Sequence, residues 1–407
     1  MPKFSGRFLA GARTRRGGFL LVATLGGVVL GSLPAAAATV AATSGRRPTA
    51  KTDEIRAIYL TGLMAGSEHG KQIATAWRAS QGNAVVFDVK DSDGNVSFES
   101  GLPLAGRISH PPIHDLGAWI AWLHAHGLYA IARIAAFKDE HLVKTHPELA
   151  IHSRSTGRLW SEHGTPAWVD PSLPEVQNYD ISLALAAAAA GADEIQFDYI
   201  RFPTEGNQKD TVFHYQSSDP TATRTDVITD FLYRARQALQ PTGVHLSIDV
   251  FGVMAWARPV DLAATGQDIL ALSYFCDVLS PMIYPSHFFR DFDGITDPGD
   301  QPDHLITLSL SRFSADTRDT GVVIRPWLQA FAWHAKTFGP QYIRIQVQAA
   351  RRQGAVGFLL WNAGNKYGPA LEAMPAMTAA PATYFLGGFP YPVSAAATGH
   401  SLPAVGR

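Results

Sequence analysis

The chain has 407 residues, of which 46% are hydrophobic and 17% are charged, and its formal net charge is −1. This is the composition of a globular protein with enough length for one large domain or two medium ones. A charge so close to neutral lacks the positive surface expected of a nucleic-acid-binding protein, so we expect no nucleic-acid partner. The single cysteine, Cys276, excludes an internal disulfide bond.

The first 39 residues have the order of a secretory signal peptide. Basic residues between positions 3 and 16 precede an apolar run from Gly18 to Leu33, and Pro34 then leads into small residues with several A-x-A cleavage points. We expect an exported protein that is periplasmic, secreted or attached to the cell envelope. The alternative is an uncleaved anchor, which would be the only contact with a membrane. Residues 40–52 are small, polar and basic, and predict a linker.

From residue 53 onwards, apolar runs typical of buried parallel strands alternate with segments of helix length. The predicted strands are residues 56–60, 84–89, 129–134, 193–198, 244–250, 278–284, 322–328 and 356–361. The predicted helices are residues 71–80, 113–126, 172–191, 223–239, 260–274, 303–313 and 340–354.

Eight such units over about 320 residues predict an α/β fold, the (β/α)₈ TIM barrel with enlarged βα loops, which we place at residues 53–375. No glycine-rich nucleotide-binding motif follows any strand, which argues against a doubly wound sheet. After Tyr367 the sequence loses its periodicity, and residues 376–407 are predicted to be a low-complexity tail with little order.

In a barrel of this kind the site is built from the C-terminal ends of several strands. Polar and aromatic residues are concentrated at those ends: Thr61, Asp88, Arg133, Asp198, Asp249, Tyr284, Trp327, Gln329, Trp361 and Asn362. Tyr199, Arg201 and His287 follow two of the strands closely. Aromatic rings suit the apolar faces of sugars, and amides and guanidinium groups suit hydroxyl groups, although single aromatic residues also fill cores.

Asp198 and Asp249 are the candidate catalytic pair. Counting with a period of two places Asp198 on the same strand face as Gln196, and Asp249 on the same face as Ser247. Neighbouring strands lie about 4.8 Å apart, and two carboxyl groups roughly 5–9.5 Å apart are typical of glycosidases. The structural alternative is that Asp198 forms a buried ion pair with Arg133 or Arg201 and that Asp249 caps a loop. Glu162 and Asp170, in the long segment after the third strand, could also reach over the site as acids.

The sequence gives no sign of a bound metal or other cofactor. Its 15 histidines show no H-E-x-x-H motif or comparable ligand spacing. Asp91, Asp93 and Asn95 have some likeness to a calcium loop, but Gly94 lies in the wrong place for an EF-hand and is typical of a hairpin turn. We therefore expect no metal and no cofactor.

Five motifs occur in order along the predicted barrel: DEIQFDYIRFP (residues 193–203), SIDVFG (247–252), SPMIYPSHF (280–288), RPWLQAF (325–331) and LLWNAGNKYG (359–368). Over about residues 55–367 the chain resembles the bacterial family described as "putative glycosyl hydrolase domain". The resemblance implies a (β/α)₈ barrel related to the α-glycosidase-like group, with Asp198 as the nucleophile and Asp249 as the best match for the acid/base. Two positions depart from the family pattern, Ala330 where an acid is common and Phe288 where tyrosine is frequent.

The sequence therefore predicts an exported glycoside hydrolase that cleaves a poly- or oligosaccharide by a retaining mechanism with two carboxylates. Asp198 and Asp249 are its predicted catalytic residues. The predicted sugar-contacting residues are Asp88, Arg133, Tyr199, Arg201, Tyr284, His287, Trp327, Gln329, Trp361 and Asn362. The alternative, which Ala330 favours, is a non-catalytic carbohydrate-binding barrel at the cell envelope. A transglycosylase or lyase on the same scaffold is a third option.

Overall fold

A computed structural model describes residues 53–378, 383–386 and 389–392 of the chain. The predicted signal segment, residues 1–39, and the linker, residues 40–52, lie outside the described residues. Most of the predicted tail, residues 376–407, also lies outside them.

Eight parallel staves form a closed barrel. They are β1 (Ile55–Leu60), β2 (Ala84–Lys90), β3 (Tyr129–Ala135), β4 (Glu194–Asp198), β5 (His245–Phe251), β6 (Val278–Ile283), β7 (Val323–Ile324 with Trp327–Gln329) and β8 (Gly357–Trp361). Each stave is hydrogen-bonded to the next along the chain, and β8 pairs with β1. The predicted TIM barrel is confirmed.

Helices separate the staves and cover the outside of the barrel. The α-helices are Gly62–Ala65, Glu68–Ala79, Leu116–Ala125, Glu140–Thr145, Pro174–Ala189, Tyr215–Ser218, Arg224–Leu239, Pro259–Thr265, Ile269–Ser273, Pro302–Asp316, Pro340–Arg352 and Gly368–Thr378. None of the helices in the described ranges is long and apolar enough to cross a membrane.

The staves are buried on both faces, and alternate residues belong to two different cores. Tyr59, Val86 and Trp327 belong to the cluster that fills the interior of the barrel, which we call the lumen. Ile58 and Val85, one position away, belong to the larger cluster that packs against the helices. This period of two is the geometry of a strand, and burial on both faces explains why the staves read as almost continuous apolar runs.

The N-terminal end of the lumen is closed by a buried ion pair. The Nη1 atom of Arg325 lies 3.0 Å from both carboxylate oxygens of Glu194, and both residues are fully buried. The Tyr129 hydroxyl donates to the same carboxylate at 3.2 Å. The accessible polar groups of the lumen therefore lie at its other end, the C-terminal end of the staves, which we call the mouth.

Two enlarged loops project from the mouth, residues 136–173 after β3 and residues 199–223 after β4. Short strands in these loops, His152–Ser153 and Thr211–Val212, pair antiparallel. The Asp210 carboxylate in the second loop accepts from the Ser153 hydroxyl at 2.6 Å and the Ser155 amide at 2.8 Å in the first. These contacts join the loops to each other above the β3–β4 side of the barrel.

Three predicted elements are wrong in detail. Residues 260–274 form two helices, because Gly266 adopts a left-handed conformation (φ 77°) and ends the first one. The seventh stave is divided at Arg325-Pro326, since a proline cannot donate to the strand ladder. The chain after Tyr367 continues as the helix Gly368–Thr378, which buries Ala370, Ala373, Met374 and Met377, a helical stripe that the low-complexity interpretation overlooked.

Gly357→Ala should destabilise the protein by roughly 2–5 kcal/mol, the combined cost of a left-handed alanine and a steric overlap. Gly357 has φ 96°, and an added Cβ would lie 1.9 Å from the carbonyl oxygen of Ile55 on β1. The closure between β8 and β1 would have to shift. The measurement is the free energy of unfolding by urea.

Gly368→Ala is the matched control, because nothing lies within 4 Å of a Cβ placed there. This variant should unfold at the urea concentration of the wild type or slightly above it. Equal stability of the two variants would show that the β1–β8 junction is not a constraint on the barrel.

Candidate active site

The guanidinium of Arg133, on β3, lies at the centre of the mouth. Its Nη1 atom donates to Asp88 Oδ1 at 2.5 Å. Its Nη2 and Nε atoms donate to Asp198 Oδ2 at 2.6 and 3.2 Å. The Oδ2 atom of Asp249 lies 3.9 Å from Nε. Three carboxyl groups, from β2, β4 and β5, thus surround one cation that is 3% exposed.

The strand register brings the two predicted catalytic residues together. Phe197 of β4 is paired with Ile248 of β5, so the next residues, Asp198 and Asp249, lie at the same level on neighbouring staves. Both side chains lie against the same guanidinium, which is inside the barrel. The structural alternative predicts a buried ion pair between Asp198 and Arg133, and this pair is present. The catalytic hypothesis predicts two adjacent carboxyl groups, and these are present as well.

Asp198 is held by donors on both oxygens. Besides the contacts from Arg133 to Oδ2, its Oδ1 atom accepts from the backbone amide of Tyr199 at 2.6 Å. Tyr199 has φ 54°, a left-handed conformation that is uncommon for an aromatic residue and that accumulates at functional sites. Charge-assisted hydrogen bonds to both oxygens stabilise a carboxylate.

Asp249 has a different environment. Its Oδ1 atom accepts from the indole Nε1 of Trp327 at 2.7 Å. Its buried Oδ2 atom has no hydrogen-bond partner among the described residues. Burial, followed by the charge of Asp198, raises the pKa of Asp249 well above its ordinary value, and Arg133 opposes this shift in part. Oδ2 of Asp249 is therefore the oxygen on which we place the proton.

Asp88, the third acid, is bound by Arg133 and by the hydroxyl of Tyr59, which donates to Asp88 Oδ2. Burial raises the pKa of Asp88 to about 6, against the opposing effects of Arg133 and Tyr59. Tyr59 is not among the predicted site residues, because the sequence pattern puts Thr61 at the end of the first stave. Thr61 instead caps a helix, accepting from the Met64 amide at 3.2 Å. Counting by two from Ile55 would have placed Tyr59 in the lumen.

Aromatic rings form one wall of the mouth beside Arg133. The rings of Tyr59 and Trp361 stack with centroids 4.1 Å apart, and Trp327 meets Trp361 edge-on at 5.5 Å. The Arg133 guanidinium carbon lies 5.3 Å from the centroid of the Trp361 ring. Trp361 is partly exposed, whereas Trp327 is buried. Trp361 is thus the ring of this wall that a ligand could reach.

A second group of rings leads outward from the acids. Tyr284 is 8% exposed, and the charges of Asp249 and Asp198 add to the burial that raises its pKa. Its ring contacts His287 at 5.3 Å and Phe331 at 5.8 Å. The exposed His287 ring in turn meets Trp333 at 5.0 Å. Trp333, which is 44% exposed, was not among the predicted residues.

The structure gives two of the predicted sugar-contacting residues internal partners. Gln329 is fully buried; its Oε1 atom accepts from the Ser286 amide at 3.1 Å, and its Nε2 atom donates to the carbonyls of Phe331 at 2.9 Å and Trp333 at 3.1 Å. Asn362 donates to the carbonyls of Ala330 at 2.6 Å and Lys366 at 3.0 Å. These amides hold the loops at the mouth in place.

The loop acids are also engaged within the protein. Glu162 accepts from the indole of Trp168 at 2.9 Å and from the Glu205 amide at 3.2 Å. Asp170 accepts from the Ser172 amide at 2.9 Å and the His214 amide at 2.6 Å. Both acids stabilise the enlarged loops. Arg201, in the second loop, lies 4.7 Å from the centre of the Trp168 ring in the first loop and 5.4 Å from that of Tyr199.

Comparison with known proteins identifies the family. Residues 57–367 match the family model described as "Putative glycosyl hydrolase domain", and the chain belongs to this family. The predicted family is confirmed. No curated protein matches the chain.

Solved structures with the same fold include the glycoside hydrolase domain of PgaB (BpsB) from Bordetella bronchiseptica, which is 13% identical over 79% of this chain and 97% of that one, with a TM-score of 0.58. The α-L-fucosidase isoenzyme 2 of Paenibacillus thiaminolyticus is 16% identical over 80% of this chain, with a TM-score of 0.52, and the match spans 48% of the fucosidase chain. The α-galactosidase TtGalA of Thermus thermophilus, solved with stachyose, is 14% identical over 82% of this chain and 66% of that one, with a TM-score of 0.51. At these identities the likeness shows the barrel fold.

Asp249→Asn should stabilise the protein at neutral pH and have little effect in acid. An acid whose pKa is raised by folding binds its proton more tightly in the folded state, so its ionisation destabilises the folded protein as the pH rises through the raised pKa. The amide avoids this cost and can still accept from Trp327. The measurement is the midpoint of thermal unfolding between pH 4 and pH 8.

Asp230→Asn is the control, since it changes an exposed carboxylate on the helix Arg224–Leu239. The difference between its unfolding midpoint and that of the wild type should not grow as the pH rises. A gap between Asp249→Asn and the wild type that stays constant over this range would contradict the raised pKa.

Proposed function

We propose that this member of the family is a glycoside hydrolase that cleaves a poly- or oligosaccharide by a retaining mechanism. The observation that carries the proposal is the contrast between two neighbouring carboxyl groups. Asp198 has donors on both oxygens, whereas Asp249 has a raised pKa and a free buried oxygen. A pair of acids whose environments differ in this way suits one anionic and one protonated role.

In the first step, an oxygen of Asp198 attacks the anomeric carbon as the glycosidic C–O bond breaks. The proton of Asp249 passes to the leaving oxygen, so the leaving group departs as a neutral alcohol. In the second step, Asp249 takes a proton from water, and the resulting hydroxide displaces Asp198 from the anomeric carbon. Both acids return to their starting states, and the configuration at the anomeric carbon is retained.

Arg133 has two functions in this scheme. It holds Asp198 and Asp88 in fixed positions, and its charge stabilises the Asp198 anion before attack and after release. The partly exposed Trp361, stacked on Tyr59, offers its ring to one face of the sugar. Asp198 is 5% and Asp249 1% exposed, so a sugar reaches them only when the side chains at the mouth move aside.

A second candidate function is a non-catalytic carbohydrate-binding barrel. The almost complete cover of Asp198 and its ion pair with Arg133 favour this alternative. Ala330 does so as well, because the family resemblance leads us to expect an acid there and the buried alanine carries no acidic group. In either case we propose that residues 1–39 direct the protein out of the cytoplasm, where envelope or extracellular polysaccharides are available.

The two proposed roles predict different responses to the leaving group. Asp198→Asn should lower kcat/KM by about 10³-fold or more on every substrate, because the nucleophile is lost. Asp249→Asn should lower it by about 10²–10⁴-fold on natural glycosides. Its effect should be much smaller on aryl glycosides whose phenolate leaves without protonation. The measurement is kcat/KM on matched pairs of alkyl and aryl glycosides.

Asp170→Asn is the control for the loss of a buried carboxylate outside the pair, and it should keep the leaving-group dependence of the wild type. Saccharide binding by the wild type with no product from a broad panel of glycans would favour the non-catalytic barrel. Identical losses for Asp249→Asn on both leaving groups would remove it from the acid role.

A further inference from the structure

Arg201 differs from the other buried arginines of the described residues. Four arginines are buried there: Arg133, Arg201, Arg325 and Arg351. Arg133 binds Asp88 and Asp198, Arg325 binds Glu194, and Arg351 binds Glu54 at 2.6 Å. For Arg201, which is 9% exposed, the described part of the chain supplies no carboxylate within 4 Å.

The hydrogen bonding of Arg201 is also incomplete. A guanidinium has five N–H donors, and in the described structure Arg201 uses one nitrogen, Nη1, to donate to the Phe202 carbonyl at 3.0 Å. Its remaining contacts are with aromatic rings: Phe251 at 4.3 Å, Trp168 at 4.7 Å and Tyr199 at 5.4 Å from the guanidinium carbon. Burying a charge without an ion partner is costly, so an arrangement of this kind calls for a functional explanation.

The nearby acids are already committed elsewhere. Both oxygens of Glu162 accept hydrogen bonds, from Trp168 and from the Glu205 amide. Glu205 binds the His163 ring at 2.5 Å, and Asp198 binds Arg133. Their charges reach Arg201 only through space, and burial outweighs them, lowering its pKa below the ordinary value. The protein therefore provides a cation at this place without its counter-ion.

The position of Arg201 relates it to the proposed active site. Its ring contacts come from three places at the mouth: Trp168 in the loop after β3, Tyr199 directly after Asp198, and Phe251 at the end of β5, two residues after Asp249. A second cation, the partly exposed Lys138, lies with Nζ 5.7 Å from the centre of the Tyr199 ring, and it also lies 3.7 Å from the Asp93 carboxylate. Arg201 and Lys138 thus both lie beside the ring of Tyr199, the residue that follows Asp198.

We propose that Arg201 is an anion-binding subsite that takes the carboxylate of an acidic sugar, so that the substrate is a saccharide containing uronic acid units. The inference rests on the proposed hydrolase function and names its substrate class. The planar guanidinium matches a carboxylate with two parallel hydrogen bonds, and the rings that hold it fix its plane in advance.

The test uses the full-length protein, titrated calorimetrically with tetrasaccharides of galacturonic acid and of glucuronic acid, and with the neutral galactose and glucose tetrasaccharides. We expect the wild type to bind at least one uronate tetrasaccharide more tightly than its neutral counterpart. Arg201→Gln should weaken that binding by about 10–100-fold, the equivalent of one or two charge-assisted hydrogen bonds. Its binding of neutral saccharides should not weaken.

Arg201→Lys keeps the charge but loses the two-pronged geometry, and it should retain part of the preference. Arg224→Gln is the matched control. Arg224 also lies on aromatic rings, those of Phe202 and Phe213, but it donates to the Ala264 carbonyl at 2.6 Å and to Gln208 at 3.3 Å. This change should leave the preference for uronates as in the wild type. Thermal unfolding of each variant separates a loss of binding from a loss of folding.

Equal weakening of uronate and neutral binding in Arg201→Gln would overturn the inference, as would a wild type that prefers the neutral saccharides. Tighter binding of sulfated or phosphorylated tetrasaccharides than of uronates would overturn the carboxylate assignment. The proposed hydrolase fails by a different result: selective uronate binding with no cleavage of any saccharide. Cleavage of neutral saccharides without any preference for uronates would instead preserve the hydrolase and reject the subsite.

Discussion

The site depends on one guanidinium that is shared by three carboxyl groups inside a barrel. A single positive charge cannot neutralise Asp88, Asp198 and Asp249 together, and each uncompensated buried anion is costly. The three carboxyl groups differ in how closely they contact Arg133. Asp88 and Asp198 lie at 2.5 and 2.6 Å from its nitrogens, whereas Asp249 lies at 3.9 Å. Burial and the charge of Asp198 raise the pKa of Asp249 well above its ordinary value, and Arg133, 3.9 Å away, offsets that shift only in part.

The barrel fixes that position through register and through closure at its far end. Arg133 is paired with Asp88 across β2 and β3, and with Gln196, two residues before Asp198, across β3 and β4. Its side chain must therefore extend towards the mouth to reach Asp198. The Glu194–Arg325 pair fills the N-terminal end of the lumen with a separate, matched pair of charges. Among the buried arginines of the described residues, Arg133 is therefore the one that binds the carboxyl groups at the mouth directly.

The sequence was sufficient for features that depend on local periodicity. Alternating apolar runs predicted the staves, and counting by two placed Asp198 and Asp249 side by side. It was insufficient wherever the outcome depended on which long side chain reaches which partner. Both Arg133 and Arg201 were possible partners of Asp198, and only the lateral packing of the staves distinguishes them. The sequence likewise did not indicate a partner for the side-chain amide of Gln329. In the structure it donates to the backbone carbonyls of Phe331 and Trp333.

The burial of Asp198 and Asp249 at the mouth affects the protonation of Asp249. Burial is the first cause of the raised pKa of Asp249, and Asp249 is 1% exposed. If the mouth opened to water alone, hydration would bring that pKa back towards its ordinary value. A saccharide that occupies the mouth keeps water away, so the proton is retained while substrate is bound. The same exclusion of water strengthens the hold of Arg133 on Asp198. Under the proposed mechanism, Asp249 would therefore act as an acid when the mouth is closed or filled by a sugar.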